Sequence, residues 1–193
     1  PLIGINHLEG HIYAAWLKDK DPERDPGFPL MCLITSGGHT DLILMEGHGQ
    51  YTLVGRTRDD AAGEAFDKAA RVLGLGFPGG PAIQKMSENS RGEEERFPRP
   101  RIKNSLDFSF SGLKTAVVRR AEQKGLYPAS ERVSQNTQLV SNIAAAFQEA
   151  AVDSMVGRTL EAVNQYKAKG VLLCGGVAAN TLLRSQMRDR SPV

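Results

Sequence analysis

Two imidazoles one helical turn apart carry the first legible chemistry of this chain. In Asn6-His7-Leu8-Glu9-Gly10-His11, His7 and His11 fall about 40° apart on a helix, the spacing at which two rings reach one metal ion. Glu9 falls about 200° from His7 and points away from such an ion. A zincin sets its glutamate directly after the first histidine, where it serves as general base. The pattern looks like a metal site without a protease's base, although a lone histidine pair at this spacing is most often incidental. Asn6 can cap the helix, and Glu9, three residues on, completes a capping-box pattern.

Glycine pairs mark where an anion could be held. Ser36-Gly37-Gly38 follows the apolar run Leu30-Met31-Cys32-Leu33-Ile34, and Gly175-Gly176 follows Val171-Leu172-Leu173 and opens a helix. Such turns let backbone N–H groups approach a phosphate, and a helix N-terminus adds its dipole. Each is also an ordinary turn when taken alone. A third loop, Pro78-Gly79-Gly80, makes a nucleotide cleft more credible for the set. Asp67 lies at the edge of a helix whose apolar face is Phe66, Ala70 and Leu73. Asn180 is expected one turn into the last helix, where its amide could reach a ligand held by Gly175-Gly176. Ser109, Ser111 and Lys114 crowd a strand-to-helix junction, where Ser111 is the expected cap. The loop Arg96-Phe97-Pro98-Arg99-Pro100-Arg101-Ile102-Lys103 could hold phosphates and stack a base, or be a solvated loop balanced by Glu93, Glu94 and Glu95.

The elements that must position these groups follow from periodicity. Residues 2–5 read as a short strand and 7–17 as a helix, with Leu8, Ile12, Ala15 and Trp16 as its apolar stripe. That stripe lies on a different face from the histidines and either docks a partner or packs on the chain's own core. Strands are expected at 30–35, 41–45 and 51–56, linked by turn chemistry into an antiparallel meander. Helices are expected at 60–73, after Pro81, and at 112–124, with a strand at 106–110. Residues 135–169 are helix-periodic throughout, long enough that Gly157 could bend or break the helix. A strand at 171–173 and a helix at 177–189 complete an α/β pattern.

The 193 residues, 40% of them hydrophobic, suffice for a substantial core, and a net charge of +2 gives no global field for nucleic acid. Cys32 and Cys174 are isolated in apolar runs and read as buried thiols of a reducing, cytoplasmic compartment. No apolar run is long enough to span a membrane, so no membrane partner is expected. The opening on Pro1 and the stop soon after a helix suggest an internal piece of a longer protein.

Together, Asn6-His7-Leu8-Glu9-Gly10-His11, Ser36-Gly37-Gly38-His39-Thr40, Asp59-Asp60-Ala61-Ala62-Gly63-Glu64-Ala65-Phe66-Asp67-Lys68, Pro78-Gly79-Gly80-Pro81, Phe108-Ser109-Phe110-Ser111-Gly112-Leu113-Lys114-Thr115 and Gly175-Gly176-Val177-Ala178-Ala179-Asn180 resemble the bacterial TsaD family, across almost the whole chain. This family makes threonylcarbamoyladenosine in tRNA and was once called O-sialoglycoprotein endopeptidase. The resemblance implies an α/β, actin-like ATPase fold (sugar kinase, Hsp70 and actin; ribonuclease H-like) truncated at both ends. The 193 residues would then span parts of both lobes, with a boundary in the 126–135 loop. It implies transfer of the threonylcarbamoyl group from threonylcarbamoyl-adenylate to N6 of adenosine 37 in tRNAs reading codons that begin with A.

Carried over by position, His7 and His11 match the metal ligands, for one divalent iron or zinc ion per subunit. Ile34, Thr35, Ser36, Gly37, Gly38, Asp67, Gly80 and Asn180 match contacts to the adenine nucleotide or adenylate. A Lewis-acid role is implied for the metal, and no residue stands out as a general base. The implied partners are tRNA, a related actin-fold subunit (TsaB type) and a small P-loop ATPase (TsaE type). The family's opening Thr-Ser-Cys-Asp-Glu-type hairpin and the Asp that supplies its third metal ligand have no counterpart in this stretch. Three other classes compete. A metalloprotease conflicts with the placement of Glu9, a small-molecule kinase of the same fold would not need the histidines, and a scaffold paralogue would be expected to lack them.

Overall fold

The computed structural model describes residues 2–17, 27–92, 95–127 and 137–193. Its centre is strand β1 (Leu30–Thr35), buried at every position. A six-residue run without polar alternation can be satisfied only where both faces of a sheet are covered. β1 pairs antiparallel with β2 (Thr40–Gly47), which pairs antiparallel with β3 (Gln50–Arg56), and parallel with β4 (Gly170–Cys174). The sheet order is β3-β2-β1-β4, a mixed sheet in an α/β fold.

Alternation along the strands divides the interior into two layers. Met31, Leu33, Leu42 and Leu44 face the main core, against α2 (Ala62–Val72), α3 (Gly79–Ser87), α4 (Ser111–Gln123), α5 (Thr137–Tyr166) and α6 (Thr181–Arg190). Leu30, Cys32, Ile34, Ile43, Met45 and Cys174 face a smaller cluster closed by Ile12 of α1 (His7–Tyr13), with Leu8 packed beside it. Leu8 and Ile12 of the α1 stripe therefore serve the chain's own core, and the side chains of Ala15 and Trp16 lie outside what is described. Both cysteines are free and buried. Burial, and then Cys174, push the Cys32 thiol up to about 12, and burial pushes Cys174 to about 11.

The helix α5 runs 30 residues without interruption through Gly157. It is buried on several sides because α2, α3, α4, α6 and the sheet all pack on it, which explains why its apolar residues are spread around the helix and not confined to one stripe. A helix of that length spans about 45 Å.

Three expectations are corrected. Residues 2–5 form no strand: Leu2, Ile3 and Ile5 are exposed, with no sheet partner among the described residues. Residues 106–110 make one bridge only, Phe108 to Thr57. The Asp107 carboxylate accepts the Arg56 N–H at 2.8 Å and so takes a donor that a longer ladder would use. The last helix does not start at 177. A 3-10 turn (Gly176–Ala179) comes first, Asn180 is extended, and α6 starts after it with Asn180 as N-cap. The expected boundary at 126–135 lies outside the described residues except for Leu126 and Tyr127. Among the described residues, no helix is long and apolar enough to cross a membrane.

Candidate functional site

Three elements end at one place. The C-terminal end of β1 turns through Ser36-Gly37-Gly38-His39, closed by a hydrogen bond from Ser36 N to His39 O (2.8 Å) and by His39 N donating to Ser36 Oγ (3.1 Å). The start of α2 presses on this turn. A Cβ on Gly63 would lie 2.5 Å from Ser36 O, so only glycine fits there. The end of β4 reaches the same place through Gly175 at φ +89°, where a Cβ would collide with the Thr35 carbonyl.

These ends enclose a cavity of about 530 Å³ lined by Gly37, Asp67, Gly80, Gln84, Gly176 and Asn180, among others. Of the residues expected to contact substrate, Gly37, Asp67, Gly80 and Asn180 line it. Ile34 faces the α1 layer, and Thr35 is fully buried with its hydroxyl 3.6 Å from Met155 Sδ. Ser36 and Gly38 shape the turn beside Gly37. Asp67 Oδ1 accepts the Gly79 N–H at 2.7 Å, which fixes the carboxylate against the first turn of α3. A Cβ on Gly79 would lie 2.5 Å from both Asp67 Cα and Phe66 O, whereas one on Gly80 or Gly176 meets nothing within 4 Å. The closely packed glycines are thus Gly63, Gly79 and Gly175, while Gly80 and Gly176 leave space in the cavity.

Asn180 is 8% exposed, and both ends of its amide are engaged. Oδ1 accepts from Leu183 N (3.0 Å), and Nδ2 donates to Gln148 Oε1 (2.8 Å). Sequence reasoning missed Gln84 and Gln148. Neither stands in a motif, since a glutamine within a helix looks like any surface polar residue until α3, α5 and α6 are packed together.

The imidazole pair sits on the other side of the glycine turn. Asn6 Oδ1 caps α1, accepting from Leu8 N (2.9 Å) and Glu9 N (3.2 Å). The His7 and His11 ring centroids are 4.5 Å apart, and His39, carried by the turn, lies 6.2 Å from His7. Two imidazoles on one tetrahedral ion have centroids roughly 5 Å apart, given metal–nitrogen bonds of about 2.0–2.1 Å. Neither His7 nor His11 hydrogen-bonds a protein group among the described residues. The pair thus fits a divalent first-row metal in donor type and spacing, and supplies part of a ligand set. Among the described residues no third histidine, cysteine or carboxylate completes a ligating group. Burial first, then Tyr13, push the Tyr51 hydroxyl up to about 12 against a lowering hydrogen bond from the Gly49 backbone, and the nearby Glu9 charge adds the least.

The junction before α4 is held by a carboxylate that no local pattern revealed. Ser111 is not the cap. Asp59, from the loop after β3, accepts from Phe110 N (2.7 Å), Ser111 N (3.2 Å) and Ser111 Oγ (2.8 Å), and also from Ser109 Oγ. Burial pushes the Asp59 carboxyl up, but these hydrogen bonds outweigh it and leave the group below its ordinary range. Lys114 pairs with Asp60 (3.0 Å), which also takes Lys68 (2.7 Å).

Two of the four cations of the basic loop, Arg99 and Arg101, are neutralised, and Lys103 has no carboxylate partner among the described residues. Arg99 pairs with Glu149 and Asp153, Arg101 with Glu161, and Arg120 with Glu95. Phe97 is buried in the main core and cannot stack a base. Arg96 has no carboxylate partner among the described residues. With Arg119, which has none either, it lines a second cavity of about 700 Å³ beside Ser111 and Thr115. Glu93 and Glu94 lie outside the described residues.

The site defines a class first: an α/β protein whose central strand ends in a glycine turn, with an amide- and carboxylate-lined cavity on one side and a surface imidazole pair on the other. Residues 1–192 match the family model TsaD: tRNA N6-adenosine threonylcarbamoyltransferase, and the chain belongs to that family. Relatives of that name are 53% identical in Thermomicrobium roseum (100% of this chain, 57% of the relative) and 54% identical in Dehalococcoides mccartyi (99% and 54%). One from Symbiobacterium thermophilum is 50% identical (97% and 52%). The chain spans about half the length of the curated relatives it matches.

Proposed function

We propose that the whole protein containing this chain transfers the threonylcarbamoyl group from threonylcarbamoyl-adenylate to N6 of adenosine 37 in tRNAs reading codons that begin with A. The observation that carries this reading is the placement of a nucleotide-sized cavity and an imidazole pair on two sides of one glycine turn, in a chain about half identical to relatives named for that transfer. The sheet order β3-β2-β1-β4, with β4 parallel to β1, supports an actin-like ATPase fold for the complete protein.

In this reading the adenylate lies in the cavity. The Asp67 carboxylate, held by Gly79 N, accepts from a ribose hydroxyl. The Gly37 backbone and the first turn of α3 at Gly80 face the phosphate, where free N–H groups and the helix dipole favour an anion. His7 and His11 would hold one divalent ion, iron or zinc, which when bound supplies Lewis-acid polarisation of the acyl carbonyl. The remaining work of the chain is positioning: the adenylate is held so that its carbonyl is presented to the incoming adenine amine. Arg96 and Arg119, which line the second cavity, offer cations to the tRNA backbone. A related actin-fold subunit and a small P-loop ATPase are the protein partners, in the cytoplasm.

The test is nucleoside mass spectrometry of tRNA incubated with the full-length protein, its two partners and synthetic threonylcarbamoyl-adenylate. Threonylcarbamoyladenosine should appear with wild type and fall at least tenfold with Asp67→Ala. A folded wild type that yields none, with both partners present, overturns the proposal.

A further inference from the structure

The amides around the cavity form one circuit whose polarity is fixed at both ends. Ser87 Oγ donates to Gln84 O (2.6 Å), a backbone carbonyl that can only accept. Ser87 Oγ must therefore accept from Gln148, and Gln148 Nε2 lies 3.0 Å away. With its NH₂ so oriented, Gln148 offers Oε1 to Asn180 Nδ2 at 2.8 Å. The other end agrees independently: Leu183 N–H can only donate, so the Asn180 atom 3.0 Å from it must be Oδ1. A second branch obeys the same rule. Thr181 N donates to Gln84 Oε1 (2.9 Å), which leaves the Gln84 NH₂ without a partner among the described residues. Amide orientation is ordinarily ambiguous, and here backbone groups of α3 and α6 determine it.

We propose that Gln148 is a positioning residue for the cavity. Gln148, 5% exposed in the middle of α5, locks the Asn180 amide so that Nδ2 keeps one N–H for an acceptor atom of the bound nucleotide. Gln84, in the same wall, presents donors too. This wall is therefore a donor surface that selects ring nitrogens or ribose oxygens, the acceptor-bearing parts of a nucleoside. The Gln148 side chain touches no ligand and acts only through Asn180. The inference rests on the reading of the cavity as the adenylate site.

The experiment is calorimetric titration of AMP into the full-length protein as wild type, Asn180→Ala, Gln148→Leu and the double variant, with thermal melts as the fold control. Asn180→Ala should weaken AMP binding. Gln148→Leu should weaken it about tenfold in the wild-type background, the size of one lost hydrogen bond (about 1.4 kcal/mol). It should weaken binding no further in the Asn180→Ala background, because its effect passes through that amide. If Asn180→Ala binds AMP like wild type, the cavity reading itself fails. If Asn180→Ala weakens binding and Gln148→Leu does not, or if Gln148→Leu costs the same tenfold without Asn180, the positioning role is overturned. Should Gln148→Leu not fold, Ser87→Ala replaces it in the cycle. That variant should lose two- to threefold in the wild-type background and nothing with Asn180→Ala, and an unchanged affinity overturns the proposal.

Discussion

Replacing Gly79 by Ala separates close packing from open space around the cavity. An added methyl would stand 2.5 Å from Asp67 Cα and from Phe66 O. Both are backbone atoms inside α2, which has seven buried residues and cannot step aside. The start of α3 must move instead, and forcing extra volume into a packed site costs about 1–3 kcal/mol. The shift also breaks the 2.7 Å hydrogen bond from Gly79 N to the Asp67 carboxylate. A hydrogen bond to a charged group contributes roughly 1.5–3 kcal/mol, and part of this is recovered by water because Asp67 is only half-buried. We expect a net loss of about 2–4 kcal/mol for Gly79→Ala. Gly80→Ala is the control, one residue away in the same helix turn. Its methyl meets nothing within 4 Å, so stability should hold or rise by up to about 1 kcal/mol. Urea unfolding of both full-length variants, read by fluorescence and circular dichroism, measures the difference. Equal stability of Gly79→Ala and wild type, or equal losses at the two positions, would refute the packing argument.

Further outcomes are expected at the surrounding groups. Asp59→Ala should cost about 1 kcal/mol by uncapping α4, at the modest end because the carboxylate meets solvent. Its folded pKa is depressed, so its contribution is complete above the unfolded value near 3.9 and drains away as pH falls through the folded value. The gap between Asp59→Ala and wild type should therefore close in strong acid, and a gap that persists there argues against the carboxylate. His7→Ala and His11→Ala should each abolish metal retention, measured by elemental analysis, with little change in melting temperature, because neither ring is in the core. Stoichiometric metal in the double variant contradicts the ligand assignment. Arg96→Ala with Arg119→Ala should weaken tRNA binding and flatten its salt dependence, by up to about 0.9 log units per log salt for each phosphate that is no longer neutralised. An unchanged slope places the RNA elsewhere.

Local patterns conveyed the elements whose burial is periodic and whose ends carry turn residues. β1 was legible because an unbroken apolar run ends at Ser36-Gly37-Gly38, and α2 because Phe66, Ala70 and Leu73 align. The strand expected at residues 2–5 failed for the opposite reason: its apolar residues have no partner strand among the described residues, and periodicity alone cannot supply one. At 106–110 a side chain, Asp107, took the hydrogen bond that a strand needed. The cavity's glycines were legible as a group, yet which of them are packed tightly depends on how α2 lies against α3, and that is not encoded in their spacing. The Asp59 cap and the Gln148 circuit join residues about 50 and 32 positions apart, beyond any local motif.

The double covering of β1 has a consequence in time. Its amides are bonded to neighbours on both edges and shielded by packed layers on both faces, so they open to solvent only when the domain unfolds as a whole. Deuterium should enter β1 last and the edge strand β3 much earlier. The turn that separates the imidazoles from the cavity is thus attached to the slowest-exchanging part of the molecule, and fraying elsewhere in the chain reaches it last.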